Sequence, residues 1–494
     1  MSKYLYGASV QGIQGFIFST NKLKDIVGAS ELVEQICTDF FKKFEKNGEP
    51  VIKAAGGIKY IFNDPEACKE AVLYFPKKVI EAAPGITISQ AVEVMEGDED
   101  FERAVNELEK KLLAQRNKPM ASTTLGLMAI ERSRQTGLPA VEIQKEEFLD
   151  EGVVKKRLMT IEGKVVKNLA WKESGNDNLD DEVIPYNISD LADKNNWVAI
   201  IHIDGNGLGD IIPKIGSKKE KLHTFSKELD VATTLAAQAA YRDVLASDLY
   251  NPMNNMVIPI RAIVLSGDDH TLICNAGIAI EYVKSFLANF EYQTRIKIGP
   301  IIKETTGKDY LTACAGIAFV KSSYPFHYGY DLAERLCGIA KNDSKRQHSC
   351  MMFHKVQSSF VEDYLDVQKK ELTTKDGHSF RFGPYYLNQS LDINGYWTID
   401  NLQKCVNALV EDRDGNATKS DIRQWLTLMH SDCEAAQQWV KRVDTISNEK
   451  QKQLFDASTM GIIRDKSFFY PAYDILSLLD VTHKVTKKER KEEL

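Results

Sequence analysis

At 494 residues the chain is too long for one hydrophobic core, and roughly two to four domains are expected. Hydrophobic residues make up 43% and charged residues 27%, which excludes a disordered or fibrous chain. A formal charge of −7 and a pI near 5.8 exclude a protein that coats nucleic acid by bulk electrostatics, while a local basic groove stays compatible. The eight cysteines, at 37, 68, 274, 314, 337, 350, 405 and 433, show no CxxC pair and read as buried free thiols in a reducing compartment. No apolar run approaches the ~20 residues that span a membrane, and the N-terminus lacks the apolar core of a signal peptide. A cytoplasmic protein with no membrane partner is expected.

The pattern opens with a strand-like run over 4–11 that enters a Gly-punctuated turn through 18. Apolar residues at 23, 26, 27, 32, 36 and 40 then predict a helix. The run 51–62 predicts a strand–turn–strand hairpin around Gly56-Gly57-Ile58-Lys59. A helix over 64–82 and a strand over 85–94 follow.

The same order returns later. Residues 197–204 predict a buried strand that ends on Asp204, and 222–246 predict a helix. A hairpin is centred on Ser266-Gly267-Asp268-Asp269, between the apolar runs 261–265 and 271–274. A helix over 277–291, a strand over 312–320 and a helix over 330–340 close the unit. Two α+β modules of one plan are expected, at 1–125 and 196–358. The second carries acids in its turn and the first does not. Residues 126–195, polar and irregular, read as a connector, 359–394 as a linker, and 395–494 as a small helical domain with a solvated charged tail.

The chemistry rests on Asp204, Asp268 and Asp269. If the strand and the hairpin are neighbours in one sheet, three carboxylates meet at a strand end. Hard oxygen ligands of that kind suit Mg²⁺ or Mn²⁺, which keep water and bridge substrate phosphates. Ser266 and Gly267 give a small backbone that a triphosphate can approach. Gly205, Asn206 and Gly207 open toward a helix whose amides can meet phosphate oxygens. Alone, the Ser-Gly-Asp-Asp turn reads equally as a solvated surface turn; the separated Asp204 motif makes the constellation specific. His270 and His202 read as strand-packing residues. Asp412-Arg413-Asp414-Gly415-Asn416 opens like a calcium loop, but Ala417 and Arg423 occupy its sixth and twelfth positions, so an acidic helix cap is preferred.

These motifs carry a resemblance. Ile203-Asp204-Gly205-Asn206-Gly207-Leu208-Gly209 and Ser266-Gly267-Asp268-Asp269 resemble the strand end and the G-G-D-D hairpin of the palm, or cyclase-type, domain of the large subunit of type III CRISPR effector complexes. That domain is related to diguanylate cyclases and class III nucleotidyl cyclases. Ala315-Gly316-Ile317-Ala318, the run from Ala333 to Lys341, and the N-terminal runs 13–18 and 22–30 are similar to the same subunit, as are Gly383-Pro384-Tyr385 and the C-terminal helices. The resemblance implies an α+β fold with two ferredoxin-like palm domains, the first degenerate, followed by an α-helical C-terminal domain.

It also implies a nucleotidyltransferase that joins ATP 3′ to 5′ into cyclic oligoadenylates in antiviral defence, beside other effector subunits with guide and target RNA. Asp204, Asp268 and Asp269 would bind Mg²⁺ or Mn²⁺, and Asn206, Gly207 and Ser266 would contact nucleotide. Lys341 would neutralise triphosphate charge, and the first palm near Lys24 and Ser30 would help hold the acceptor. Three departures stand out. Ser266 replaces a Gly, Asn206 stands where many relatives have a second Asp, and the zinc-ligand cysteines between the palms are missing. No His-Asp dipeptide occurs and the chain starts at the first palm, so DNA cleavage by an HD nuclease is not expected. Adenylation of a non-ATP acceptor such as S-adenosylmethionine, a non-catalytic scaffold in an RNA-guided complex, and a standalone signalling synthase are the other readings.

Overall fold

The computed structural model describes residues 2–54, 56–118, 129–160, 184–215, 219–246, 257–357, 363–389, 395–411, 415–464 and 467–481. The polar run at 174–178, the acidic turn at 412–414 and the charged tail at 487–494 lie outside the described residues.

Four strands build the first sheet: β1 (Lys3–Gln11), β2 (Gly48–Ala54), β3 (Gly57–Phe62) and β4 (Thr87–Met95). Their order is β2-β3-β1-β4, each pair antiparallel. The helices Leu23–Cys37 and Pro65–Ala82 connect them. The second begins with Pro65 after Asp64, whose carboxylate accepts from the Glu66 amide, so the missing proline N–H costs nothing and an orphan donor is satisfied.

The region between the two modules departs from the expected irregular connector. It forms a hairpin of β5 (Glu142–Gln144) and β6 (Glu147–Leu149), then the helix Glu151–Thr160. Arg157 on that helix pairs with Asp25 at 2.9 Å and with Glu147 at 2.8 Å. The buried Lys156 ammonium donates to the Phe16 carbonyl at 2.6 Å. This segment is clamped to the first unit by charge.

The second sheet comprises β7 (Trp197–Gly205), β8 (Ile260–Ser266), β9 (Asp269–Asn275), β10 (Ala313–Lys321), β11 (Cys350–Lys355) and β12 (Tyr385–Tyr386), in the order β12-β11-β10-β7-β9-β8. Its β8-β9-β7-β10 part repeats the order of the first sheet. The helices Lys219–Ala246 and Ala279–Thr306 match the connecting helices. The latter runs beyond the expected 277–291 and stops at Gly307, whose φ of 77° suits a left-handed cap. The helix Phe326–Asp343 follows β10. β7 is apolar and buried along nearly its whole length because strands and helices cover it on every side.

The two units meet reciprocally. β2 slips register between Pro50 and Ile52, and β8 between Ala262 and Val264, so Val51 and Ile263 are bulge residues. A bulged residue loses its ladder partner. The Ser30 hydroxyl, from the first unit's helix, donates to the Ile263 carbonyl. His223, from the second unit's helix, donates through Nδ1 to the Val51 carbonyl at 3.3 Å.

Residues expected as a linker belong to the core: Phe380, Phe382, Tyr385 and Tyr386 are buried. The C-terminal part consists of the helices Ile399–Glu411, Gly415–Ser431, Cys433–Ile446, Glu449–Thr459 and Ala472–Leu479 with a hairpin of β13 (Ile462–Arg464) and β14 (Ser467–Phe469). The Tyr385 hydroxyl donates to Asp474 at 2.7 Å, tying the last of these helices to β12. The chain is α+β. Among the described residues no helix is long and apolar enough to cross a membrane, and all eight cysteines are free.

Candidate active site

β7 is central, so its C-terminal end is flanked by β9 on one side and β10 on the other. Register places Asp204 directly opposite Asp269 on β9 and opposite Cys314 on β10. The turn between β8 and β9 holds Gly267 at φ 63°, a conformation a side chain resists. Gly267 is fixed from outside the hairpin: its N–H donates to Asp230 at 2.9 Å, and the Thr233 hydroxyl donates to its carbonyl at 2.5 Å. Sequence pattern does not single out Asp230 or Thr233, because nothing in it says which helix face meets the turn.

Asp268 packs against Gly205. The Gly205 N–H donates to the Asp268 carbonyl at 3.2 Å, and a Cβ on Gly205 would lie 2.9 Å from the Asp268 Cβ. Burial pushes the Asp268 carboxyl up to about 7, and the neighbouring Asp204 carboxylate pushes the same way. Asp269 is raised to about 7 by the same two causes in the same order. It sits deep between strands, although 42% of its side chain still meets solvent.

One cation already faces these acids. The Lys341 ammonium lies 2.5 Å from Asp204 and donates to the Gly205 carbonyl at 2.7 Å. The Asn206 amide turns inward, donating to Thr312 at 3.0 Å, with Cys314 Sγ and the His348 carbonyl at 3.4 Å. Its Oδ1 is buried without a partner. Ser266 pairs with Asp269 at the base of the turn, and Gly207, at φ 82°, leads into the helix Leu208–Ile215.

Two expected residues are placed elsewhere. Ser30 is buried, with its hydroxyl spent on Ile263, because the bulge there exposes a carbonyl that needs a donor. Lys24 sits within reach of the Arg157, Asp25 and Glu147 charges of the first unit. First-unit contact with the site's own helix comes instead from Gln14, which donates to Tyr330 at 3.0 Å and to Glu334 at 2.6 Å.

The two histidines differ. His270 points away, its ring nitrogens 3.0 Å from the Val264 carbonyl and 2.7 Å from the Tyr282 hydroxyl, and burial lowers it to about 4. His202 is buried as expected but also joins the site, 3.0 Å from Thr271 and 3.5 Å from Asp269.

Three carboxylates at a strand end are a donor set suited to a hard divalent cation. Among the described residues no three metal-ligating side chains already form a cage. That is compatible with Mg²⁺, which binds through one or two carboxylates and completes its shell with water and substrate phosphates.

Residues 197–350 match the family described as Cas10/Cmr2, second palm domain. That segment is a Cas10/Cmr2-type second palm. Among solved structures the chain is similar to a Csm1-Csm4 cassette in complex with pppApApA, at 14% identity and a TM-score of 0.58, covering 98% of this chain and 69% of that one. The cassette in complex with cA4 matches at 14% identity and TM-score 0.54, over 97% of this chain and 69% of that one. Csm1 in T.onnurineus matches at 14% identity and 0.56, with the same coverage. No curated protein matches the chain. The Cas10-type palm accounts for β7 to the start of β11, and the likeness of fold extends over nearly the whole chain.

Proposed function

We propose that the chain is a divalent-metal-dependent nucleotidyltransferase that converts ATP into a cyclic oligoadenylate-type messenger, as the large subunit of a type III CRISPR effector complex in antiviral defence. The observation that carries this reading is the register pairing of Asp204 with Asp269, with Asp268 against Gly205. The similar Csm1-Csm4 cassettes hold ATP, pppApA and cA4, which fits a site for adenylates and a Csm4-type neighbour. Residues 1–125 serve as the degenerate palm, 196–358 as the catalytic one, and 395–494 as a docking module.

Asp204, Asp268 and Asp269 are the residues that would hold Mg²⁺ or Mn²⁺. Bound there, such an ion lowers the pKa of an attacking hydroxyl and neutralises charge on a pyrophosphate leaving group. The protein's own share is positioning and charge. Gly205 and Gly267 let backbone approach the phosphates, Ser266 and Gly207 lie beside them, and Lys341 supplies the positive charge at their edge. The inward amide of Asn206 fixes the strand end, so its part in nucleotide contact is indirect.

The test is incubation of the purified chain with labelled ATP and Mn²⁺, with and without cognate effector subunits and target RNA. Oligoadenylate is expected from the wild type and none from Asp268→Asn/Asp269→Asn. Identical product profiles overturn the reading. Mass spectrometry of the product separates ATP oligomers from an adenylated S-adenosylmethionine, and nucleotide binding without turnover under every condition marks a scaffold.

A further inference from the structure

We infer that His202, acting through Thr271, is a positioning residue that aims the Asp269 carboxylate; this rests on the metal-site reading above. Side chains alternate along a strand, so His202 shares a face of β7 with Asp204, and Thr271 shares a face of β9 with Asp269. Register sets His202 opposite Thr271 and Asp204 opposite Asp269. The four side chains therefore form two consecutive rungs on one face of the sheet.

The contacts fit one direction of donation from His202 through Thr271 to Asp269. The Thr271 hydroxyl donates to Asp269 Oδ1 at 3.4 Å, and its oxygen is 3.0 Å from His202 Nδ1. A hydroxyl has one proton, so when it is given to Asp269 the bond to His202 requires Nδ1–H as the donor. The imidazole is held in place: it is buried, and its ring meets Tyr330 edge-on with centroids 5.6 Å apart. Tyr330 accepts from Gln14 of the first unit at 3.0 Å. His202 Nδ1 itself lies 3.5 Å from the same Asp269 Oδ1, so both groups hold one edge of the carboxylate.

His202 does not touch the reacting atoms in this arrangement. Its effect falls on the orientation of a ligand, the kind of outer contact whose loss costs about 10–100-fold in metal affinity. Glu334 and Lys341 are the other charged groups facing these rungs, both from the helix that packs over β7.

The experiment titrates Mn²⁺ alone into nucleotide-free protein, followed by the spin-resonance signal of free Mn²⁺. Thr271→Val keeps the shape and removes the hydroxyl, Thr271→Ser restores it, and His202→Asn keeps a donor at the relay's start. Binding about tenfold or more weaker in Thr271→Val, with Thr271→Ser near wild type and His202→Asn between them, supports the relay. The same series should raise the Mn²⁺ concentration for half-maximal turnover more than it lowers the maximal rate. Equal affinity for wild type and Thr271→Val, with unchanged melting temperatures, overturns the positioning role alone. A wild type that takes up no Mn²⁺ overturns the metal-site reading and this inference together.

Discussion

The hydroxyl of Ser30 caps the carbonyl of Ile263, the extra residue in the β8 bulge. Its counterpart is His223 on the carbonyl of Val51, the extra residue in the β2 bulge. Each unit thus satisfies the backbone defect of the other, using the long helix between its own first two strands. The duplicated plan has become a reciprocal interface, with the acid-bearing turn at one end of β8.

This assigns Ser30 to the interface. Ser30→Ala leaves the Ile263 carbonyl buried and unpaired, which costs about 1–3 kcal/mol. The expected outcome is a lower melting temperature with the KM for ATP unchanged. A raised KM at unchanged melting temperature would instead put the hydroxyl on nucleotide.

Gly205 is held to glycine by the neighbouring turn. In Gly205→Ala the new methyl would sit 2.9 Å from the Asp268 Cβ and 3.1 Å from its Oδ2, so the carboxylate must move. Displacement of a positioned group by about 1 Å costs on the order of 10²-fold in rate. Turnover should drop on that scale while the fold, followed by circular dichroism, persists. Near-normal turnover would show that Asp268 need not stay where it is.

Lys341 already pairs with Asp204 at 2.5 Å, so in the proposed site it would compete with a metal for that carboxylate before nucleotide arrives. Lys341→Met should therefore have two effects of opposite sign. Mn²⁺ binding to the nucleotide-free protein should tighten about threefold to tenfold, the scale of one ion pair at a partly exposed carboxylate. Product formation should fall about 10²-fold, because a charge aimed at the phosphates is lost. Calorimetry and a product assay read the two. A fall in both would make Lys341 a prop for the strand end rather than a competitor.

Much of this was legible in the chain. The continuous apolar run marks β7 as a buried strand, and the Asp204 and Ser266–Asp269 motifs fall at its end and in the adjoining turn, as an acid-ended strand beside a hairpin requires. The repeated order of elements yields the repeated strand order. Period two could also have revealed His202, two residues before Asp204, and Thr271, two after Asp269. The bulges could not be read, since an extra residue in a continuous apolar run leaves no mark, and so Ser30 looked free for a ligand. The β5–β6 hairpin was hidden by its turn: Lys145 and Glu146 take φ of 47° and 67°, where Asn-Gly is the usual signal. Tyr385 and Tyr386 lay in a Gly- and Pro-bearing stretch that reads as a linker until β11 supplies an edge for them to pair with.

Asp474 makes the junction of the C-terminal helices with β12 sensitive to pH. Burial pushes its carboxyl up to about 7, against the opposing pull of the Tyr385 hydroxyl and of Arg381 and Arg464. In the unfolded chain the same group titrates near its ordinary value of about 3.9. The folded state therefore holds a proton there that the unfolded state has released. The stability this contributes is fully present below about pH 4 and is lost as pH rises through about 7. Asp474→Asn removes that dependence while keeping an oxygen for Tyr385. From about pH 5 to about pH 7 the melting temperature of the variant should gain on that of the wild type and then level off. Comparing the two chains cancels the titration of Asp268 and Asp269, which both share. A gap that stays constant across the range would mean that Asp474 is ionised throughout, and that the hydrogen bond from Tyr385 is made to a carboxylate.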